Sequence, residues 1–199
     1  MVAIIMASGM SRRMSKNKLL INLYNKPLIR WTIELAKSCD FEDVIVVYKD
    51  KEVKDIAENL QVKTIYNGRF KYGQSESIKL ALSSLKKEYN GYIFFTGDQP
   101  FIKKETIKIL MKTFIKRGGI ILPKVNGKNK SPVIFSREFK FELMNIEGDI
   151  GGRNVIKNNI KKVTPVYFNK SIEFFDIDTK EDLKMAKAIY EGEKLWKMK

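Results

Sequence analysis

The chain has 199 residues, with 38 Lys or Arg against 23 Asp or Glu, a formal net charge of +15, and no histidine. Without histidine there can be no Ser-His-Asp triad, His-Glu-x-x-His zinc site or histidine general base, and the single cysteine, Cys39, excludes a disulfide framework and a cysteine-rich zinc centre. Chemistry is left to carboxylates, lysine, arginine, backbone amides and a recruited metal ion.

The basic balance points either to anionic partners such as phosphorylated substrates or to a lysine-heavy surface, because the lysines are not gathered with aromatics into one stripe. The length fits one domain over 1–199 with a substantial core, and the 44% hydrophobic content is that of a globular protein. No apolar run approaches a membrane span, the N-terminus lacks a basic leader, and one cysteine suits a reducing compartment. The expected location is the cytoplasm, with neither membrane nor nucleic acid as a partner.

Val2–Ala7 is an uncharged, β-branched run that reads as a buried strand. The loop leaving it, Ser8-Gly9-Met10-Ser11-Arg12-Arg13-Met14-Ser15-Lys16-Asn17-Lys18, mixes small residues with cations. Ligands of open α/β sheets bind at the carboxyl ends of the strands. There, small residues let backbone N–H groups approach an anion and the cations supply charge. The loop reads as a phosphate-binding loop or as a plain strand-to-helix turn with surface cations. It is neither a G-x-x-x-x-G-K-[ST] loop, since Met14 stands at the second glycine, nor a G-x-G-x-x-G fingerprint.

Pro27 suits a first helical turn, and Leu28, Trp31, Leu35 and Cys39 repeat as a core-facing helical stripe. Val44–Tyr48 reads as a buried strand, 51–59 as a polar helix and Val62–Tyr66 as a strand. Asn67–Ser77 is a loop turning into a helix around Ser75 or Ser77, with Ile78, Leu82 and Leu85 as its buried face. Tyr92–Phe95 is a central strand ending at Thr96-Gly97-Asp98-Gln99-Pro100; a helix over 103–116 leads through Gly118-Gly119 to the strand Ile120–Leu122. This βαβ alternation predicts a mainly parallel sheet with right-handed crossovers.

The second half is less regular. Asn126–Lys130 reads as a mobile loop, Pro132–Phe135 as a strand followed by a short helix, and Glu147–Arg153 as a Gly-rich loop before another helix. Strands near Val163–Tyr167 and Ile172–Ile177 precede a terminal helix capped by Asp178 or Thr179.

Asp98 stands out among the carboxylates because it follows a very apolar strand at the sheet's carboxyl edge, where it can hold Mg²⁺ against phosphate oxygens. Alternation along a strand puts Asp176 and Asp178 on one face, so either can complete a metal site, while Asp178 can equally be a helix cap. Asp149, between glycines, is a metal or substrate ligand or a turn residue. Arg153 falls in the first turn of a helix, where its charge opposes the dipole unless an anion is present.

Met6-Ala7-Ser8-Gly9-x-Ser11-x-Arg13-Met14-x-x-x-Lys18 resembles the loop of nucleotidyltransferases that carry L-A-A-G-x-S-x-R-M-G-x-x-K, and Lys26-Pro27-Leu28 resembles the K-P-L segment that follows it. The match continues in order through Asn17–Leu20, Gly73-x-Ser75-x-Ser77, Gly97-Asp98-Gln99-Pro100, Pro132–Phe135, Gly148-Asp149-x-Gly151-x-Arg153 and Asp176–Leu183. Together these resemble the molybdenum cofactor cytidylyltransferase branch of the molybdopterin-nucleotide transferases, over nearly the whole chain.

The resemblance implies a Rossmann-like three-layer α/β sandwich with a mostly parallel, mixed central sheet, of the nucleotide-diphospho-sugar transferase type. It implies Mg²⁺-dependent attack of the molybdopterin phosphate on the α-phosphate of CTP, with a molybdoenzyme or its chaperone receiving the product. On this reading Ala7, Ser8, Gly9, Met10 and Ser11 with Arg13 and Lys18 hold the triphosphate, and Gly73, Ser75, Ser77 and Gly97 complete the nucleotide site. Arg13, Lys18 and Asp98 act in catalysis, and Asp98 binds metal with Asp176 or Asp178. Gln99, Pro100, Pro132, Asp149 and Arg153 lie toward the acceptor.

Three residues depart from the pattern. Ser8 replaces an alanine and adds a hydroxyl near the nucleotide, Ser15 replaces a glycine, and Gly152 replaces an alanine and loosens a helix start. The nearest rival is a nucleotidyltransferase using GTP or ATP, or another acceptor such as a sugar 1-phosphate. A basic nucleic-acid-binding module without catalysis is the reading from a different class.

Overall fold

The computed structural model describes residues 1–11, 13–14, 17–169 and 171–197, and side chains of the final helix as far as 192. Arg12, Ser15 and Lys16 of the first loop lie outside the described residues.

In chain order the elements are β1 (Val2–Ala7), β2 (Asn22–Leu23), β3 (Lys26–Pro27), α1 (Leu28–Ser38), β4 (Asp43–Tyr48), α2 (Lys51–Asn59), β5 (Lys63–Tyr66), α3 (Gln74–Ser83), β6 (Gly91–Thr96) and α4 (Lys104–Arg117). There follow β7 (Ile120–Val125), β8 (Lys128–Asn129), β9 (Val133–Ser136), α5 (Lys140–Met144), α6 (Arg153–Asn158), β10 (Val163–Tyr167) and α7 (Lys180–Lys197). The main sheet runs β10-β7-β9-β6-β1-β4-β5, with β8 paired to β7. Its ladders are parallel except those made by β9 and β8, so the sheet is mixed but mostly parallel.

Period-two alternation builds the layers. Ala3, Ile5 and Ala7 of β1 face a core with Ile29 and Ile33 of α1, Val53 of α2, and Ile107 and Leu110 of α4. Val2 and Ile4 face the other way, onto Ile78 and Leu82 of α3, Leu143 of α5 and Val155 of α6. A sheet with helices on both faces is the three-layer sandwich that the resemblance implies, and β1 needs no polar face because both its faces are buried. A third cluster, around Leu23, Leu28, Phe101, Ile177 and Ala186, seats α7 against the β2–β3 hairpin. Tyr24 of that hairpin stacks on Tyr190 at 4.3 Å between ring centroids. Among the described residues, no helix is long and apolar enough to cross a membrane.

Several expectations need correction. Asn126–Lys130 is a tight hairpin turn, not a mobile loop: Asn126 and Gly127 both take positive φ, and Lys128–Asn129 pairs back onto β7. An Asn-Gly pair between extended segments has the backbone freedom such a turn needs. Ile172–Ile177 is not a strand. Ser171–Phe174 forms a 3₁₀ turn, and the chain then crosses the carboxyl edge of the sheet, where Ile177 N–H donates to the Asp98 carbonyl at 3.1 Å. Phe174 and Ile177 are fully buried in different clusters, which pulls this segment across the strand ends rather than along them. Helix α3 begins at Gln74 and ends before Leu85, which packs at the margin of the second core. At Gly152 the Phe135 ring occupies the side that a Cβ would take, 2.8 Å from Phe135 Cζ, so the alanine of the related pattern does not fit here unless the ring shifts.

Candidate active site

The chain reverses direction across the sheet between β1 and β6, whose neighbours extend to opposite sides. A crevice forms at such a switch point, outside the carboxyl ends of the strands. The loop after β1, the turn after β6 and the segment 171–178 meet there.

The first loop closes on itself. Ser11, at φ +49°, accepts the Lys18 N–H on its hydroxyl at 3.2 Å. Asn17 caps the 3₁₀ turn Lys18–Leu20 by accepting the Leu19 N–H at 3.0 Å, and its amide donates to Asp50. These bonds fix Lys18, whose ammonium donates to Asp98 Oδ2 and, at 2.7 Å, to Asp178 Oδ1. Arg13, two-thirds exposed, donates to the other Asp178 oxygen at 2.8 Å.

Electrostatics follow from this chain of charges. Burial works against the Lys18 ammonium, but Asp98 and Asp178 outweigh it and hold its pKa above the ordinary value. Burial pushes the Asp178 carboxyl up, yet Lys18 and Arg13 overcome it and leave the pKa below the usual range. Asp176 goes the other way: burial raises it and Asp98 adds to the effect, while its bonds from Lys130 and Gln99 offset only part.

The crevice has two lobes. One, of about 480 Å³, is lined by Ser8, Gly9, Met10, Ser11, Arg13 and Lys18 on one side and Phe70, Gly73, Gln74 and Ser77 on another. The second, of about 720 Å³, has an apolar floor that includes Ile78, Phe94, Leu122 and Phe135, with Lys128, Lys130, Arg153 and Lys157 around it. Met6, Gln74, Thr96, Asp98, Arg153 and Asp178 line both. The two carboxylates nearest Lys18 therefore stand where the lobes meet.

The other expected residues are placed unevenly. Ala7 and Gly97 are buried at the strand ends. Gln99 is buried and turned to Asp176; Gln99, Pro100 and Pro132 line neither lobe. Ser75 is buried too, and its hydroxyl has no partner among the described residues, so it does not face the nucleotide lobe as the Gly-x-Ser-x-Ser reading expects. The cause is the helix start at Gln74, which turns this position inward while Ser77, about half a turn on, reaches the lobe. Gly73 takes φ +103°, and a Cβ there would lie 2.4 Å from the Gly148 carbonyl carbon, so the two Gly loops pack backbone to backbone. Asp149 accepts the Gln74 N–H at 3.2 Å and so caps α3 from the adjoining Gly-rich loop. Arg153 opens α6 and borders both lobes.

Thr179 decides the role of Asp178. Thr179 Oγ1 accepts the Asp182 N–H at 3.1 Å, and Asp182 accepts the Thr179 N–H at 2.8 Å, a reciprocal capping box. Asp178 is thereby left to the site.

Two important residues escape a reading of the sequence. Asn67 follows β5 and reads as a turn residue before Gly68, yet it is buried and donates to both Ser8 and Ser77. Lys130 sits in the supposed loop and pairs with Asp176 at 2.8 Å. Only the Asn-Gly hairpin signal, which returns Lys130 to the sheet edge, points toward it.

The donor set can take a hard cation. Asp98 Oδ1 is buried and has no hydrogen-bond partner among the described residues, while Asp178 is partly exposed across from it. Among the described residues there is no cluster of three or more His, Cys, Asp or Glu suited to a metal. One or two carboxylates, completed by water and phosphate, is the environment magnesium prefers.

A carboxylate-and-lysine centre stands on the wall between two lobes, at the switch point of a mostly parallel sheet in an α/β sandwich. The chain belongs to the family of the MobA-like NTP transferase domain, whose family model matches residues 3–163.

It is 29% identical over 197 residues to a protein of Natranaerobius thermophilus named probable molybdenum cofactor guanylyltransferase, covering 93% of this chain and 94% of that one. It is also 33% identical over 119 residues to the bifunctional protein GlmU of Thermosipho melanesiensis, covering 58% of this chain and 26% of that one. The chain thus spans about a quarter of the length of the GlmU proteins it matches. Among solved structures, Rv0371c of Mycobacterium tuberculosis superposes with a TM-score of 0.81 at 19% identity, covering 93% of this chain and 95% of that one. Molybdopterin-guanine dinucleotide biosynthesis protein A of Archaeoglobus fulgidus superposes with a TM-score of 0.71 at 23% identity, covering 96% of this chain and all of that one. These likenesses are of fold.

Proposed function

We propose that the chain, acting as one unit over 1–199, transfers the nucleotidyl group of a nucleoside triphosphate to the phosphate of molybdopterin and releases pyrophosphate. The observation that carries this reading is the Lys18 ammonium shared by Asp98 and Asp178 on the wall common to both lobes. An acceptor phosphate oxygen attacks the α-phosphorus, and the bond from that phosphorus to the β-phosphate bridging oxygen breaks. The acceptor is already an anion at neutral pH, so a chain without histidine needs no general base.

Charge neutralisation and positioning supply the rate. Lys18 and Arg13 hold the triphosphate together with the amides of Ser8–Ser11. Asp98, aided by Asp178, would hold a divalent ion, with Mg²⁺ the natural choice for oxygen donors; such an ion would supply charge neutralisation for the phosphate oxygens. Asp176, engaged by Gln99 and Lys130, orients the acceptor side. The second lobe, apolar below and cationic around, suits a flat organic ring that carries a phosphate.

For the donor we favour GTP. Relatives matched over nearly their whole length, from Natranaerobius thermophilus, Thermococcus gammatolerans and Aquifex aeolicus, carry the name "probable molybdenum cofactor guanylyltransferase". CTP is the second reading, carried by the Gly73-x-Ser75-x-Ser77 sequence and weakened by the inward Ser75. The cytoplasm is the fitting location, with a molybdoenzyme or its chaperone taking the product. Pyrophosphate release with Mg²⁺, each nucleotide, and either molybdopterin or a sugar 1-phosphate tests the reading. Release with GTP and molybdopterin supports it; release only with another acceptor refutes it.

A further inference from the structure

Asp50 stands at the N-cap of α2, where its carbonyl accepts the Val53 and Lys54 N–H groups at 3.1 and 3.3 Å. An aspartate at that position ordinarily caps its helix with the side chain. This one makes no cap bond. Its Oδ2 instead accepts the Asn17 amide at 2.5 Å and the Lys49 ammonium at 2.6 Å.

The bond to Asn17 settles which way that amide faces. Asn17 Oδ1 accepts the Leu19 N–H at 3.0 Å and lies 3.5 Å from the Ser11 hydroxyl that donates toward it, so both groups on that side are donors. The Asp50 carboxylate on the other side is an acceptor only. Reversed, the amide would set its NH₂ against two donors and its oxygen against a carboxylate. Held as it is, Asn17 closes the turn Lys18–Leu20, and Ser11 Oγ takes the Lys18 N–H at 3.2 Å. Asp50 also holds Lys49, whose ammonium lies 5.4 Å from the Phe70 ring centroid. The Asp50–Lys49 pair thus reaches both walls of the nucleotide lobe, the first loop through Asn17 and the facing wall through Phe70.

We propose that Asp50 is a positioning residue for the triphosphate: it gives up the cap of α2 to fix the Asn17 amide, and through it the loop that carries Ser11 and Lys18. Charge alone argues the other way. A carboxylate beside a phosphate-binding loop repels the ligand, and removing it leaves the Lys49 ammonium unopposed, so in a purely electrostatic role its loss tightens anion binding. In the positioning role its loss weakens binding. The inference rests on the nucleotidyltransferase reading and adds to it a residue that lines neither lobe.

Two substitutions remove the charge and differ in reach. Asp50→Asn keeps a side-chain oxygen at the same distance from the backbone, able to accept from Asn17. Asp50→Ser is too short for that contact but is a favoured cap for α2. Calorimetric binding of inorganic tripolyphosphate and of GTP, each with Mg²⁺ at fixed ionic strength, compares them in the full chain. Asp50→Ser should weaken both ligands about 3- to 10-fold, the value of one hydrogen bond, while the cap bond gained offsets the bond lost and Tm stays close to that of the wild type. Asp50→Asn should bind both no more than about twofold more weakly than the wild type, because its hydrogen bond is kept. Asn17→Ala should lose as much as Asp50→Ser, and combining the two should cost no more than Asn17→Ala alone. If Asp50→Ser fails to fold, Asp50→Gly, also tolerated at a cap, gives the same comparison. Binding of tripolyphosphate by Asp50→Ser that equals or exceeds the wild type, or a loss in Asp50→Asn as large as that in Asp50→Ser, overturns the proposal and leaves the transferase reading intact. A wild type that binds neither GTP nor tripolyphosphate overturns both.

Discussion

Replacing Lys18 by methionine keeps the aliphatic stem and removes the charge that Asp98 and Asp178 share. In the wild type the Lys18 and Asp98 side chains are about 15% exposed and Asp178 is 30% exposed, so solvent screens these pairs only in part. Removing one partner of a buried pair strands the others; with Arg13 still on Asp178 and water reaching one side, we expect a loss of about 1–3 kcal/mol. For a chain of this size that lowers Tm by about 3–10 °C at pH 8.

The pH dependence has a definite sign. In the wild type the Asp178 pKa is held low, so its stabilising contribution is present above the unfolded value of about 3.9 and is lost only as pH falls through the lower folded value. In Lys18→Met, burial without the ammonium raises the Asp178 carboxyl pKa, and proton uptake relieves the variant as pH falls from 8 toward 4.5. The Tm gap should therefore narrow in acid. Mg²⁺ should restore more stability to the variant than to the wild type, because the ion can replace the missing cation. In turnover, kcat/KM should fall about 10²- to 10³-fold. Thermal melts across pH, with and without Mg²⁺, and steady-state pyrophosphate release measure all of this. A Tm gap independent of pH and metal, or kcat/KM within threefold of wild type, refutes the reasoning.

Asp98→Asn preserves shape but removes the carboxylate that bears the unpartnered buried oxygen, and should lower kcat by about 10³-fold while the chain still melts cooperatively. Ser75→Ala should leave Tm and the nucleotide KM nearly unchanged, because the hydroxyl is buried without a partner; a several-fold KM increase contradicts its inward placement. Gly73→Ala must adopt φ +103° against the Gly148 backbone, and should destabilise by about 2–4 kcal/mol in chemical denaturation. Thr179→Ala loses the cap of α7 and about 1 kcal/mol, with kcat intact so long as Asp178 keeps its place.

The layered fold was legible because strand and helix periods dominate the sequence: Val2–Ala7 and Tyr92–Phe95 have no polar face, and the helical stripes recur between them at crossover spacing. What escaped was set by tertiary contacts. Ile172–Ile177 alternates like a strand, but Phe174 and Ile177 are claimed by different cores, so the segment crosses the strand ends. Of the candidate site, Asp98 stood out by its place after an apolar strand, Lys18 by the resemblance, and the structure brings both together with Asp178. Thr179 competed with Asp178 for one cap, and only the position of Asp182 separates them. Asn67 lay hidden because an asparagine before glycine reads as a turn, and its partner Ser8 is 59 residues away in sequence.

The most direct test of the central claim is the mass of the product formed when purified protein is incubated with molybdopterin, Mg²⁺ and GTP or CTP. The account predicts a molybdopterin dinucleotide with stoichiometric pyrophosphate, formed with GTP in preference to CTP. Unchanged molybdopterin beside intact nucleotide, or a nucleotidyl adduct formed only with a different phosphorylated acceptor, would contradict it.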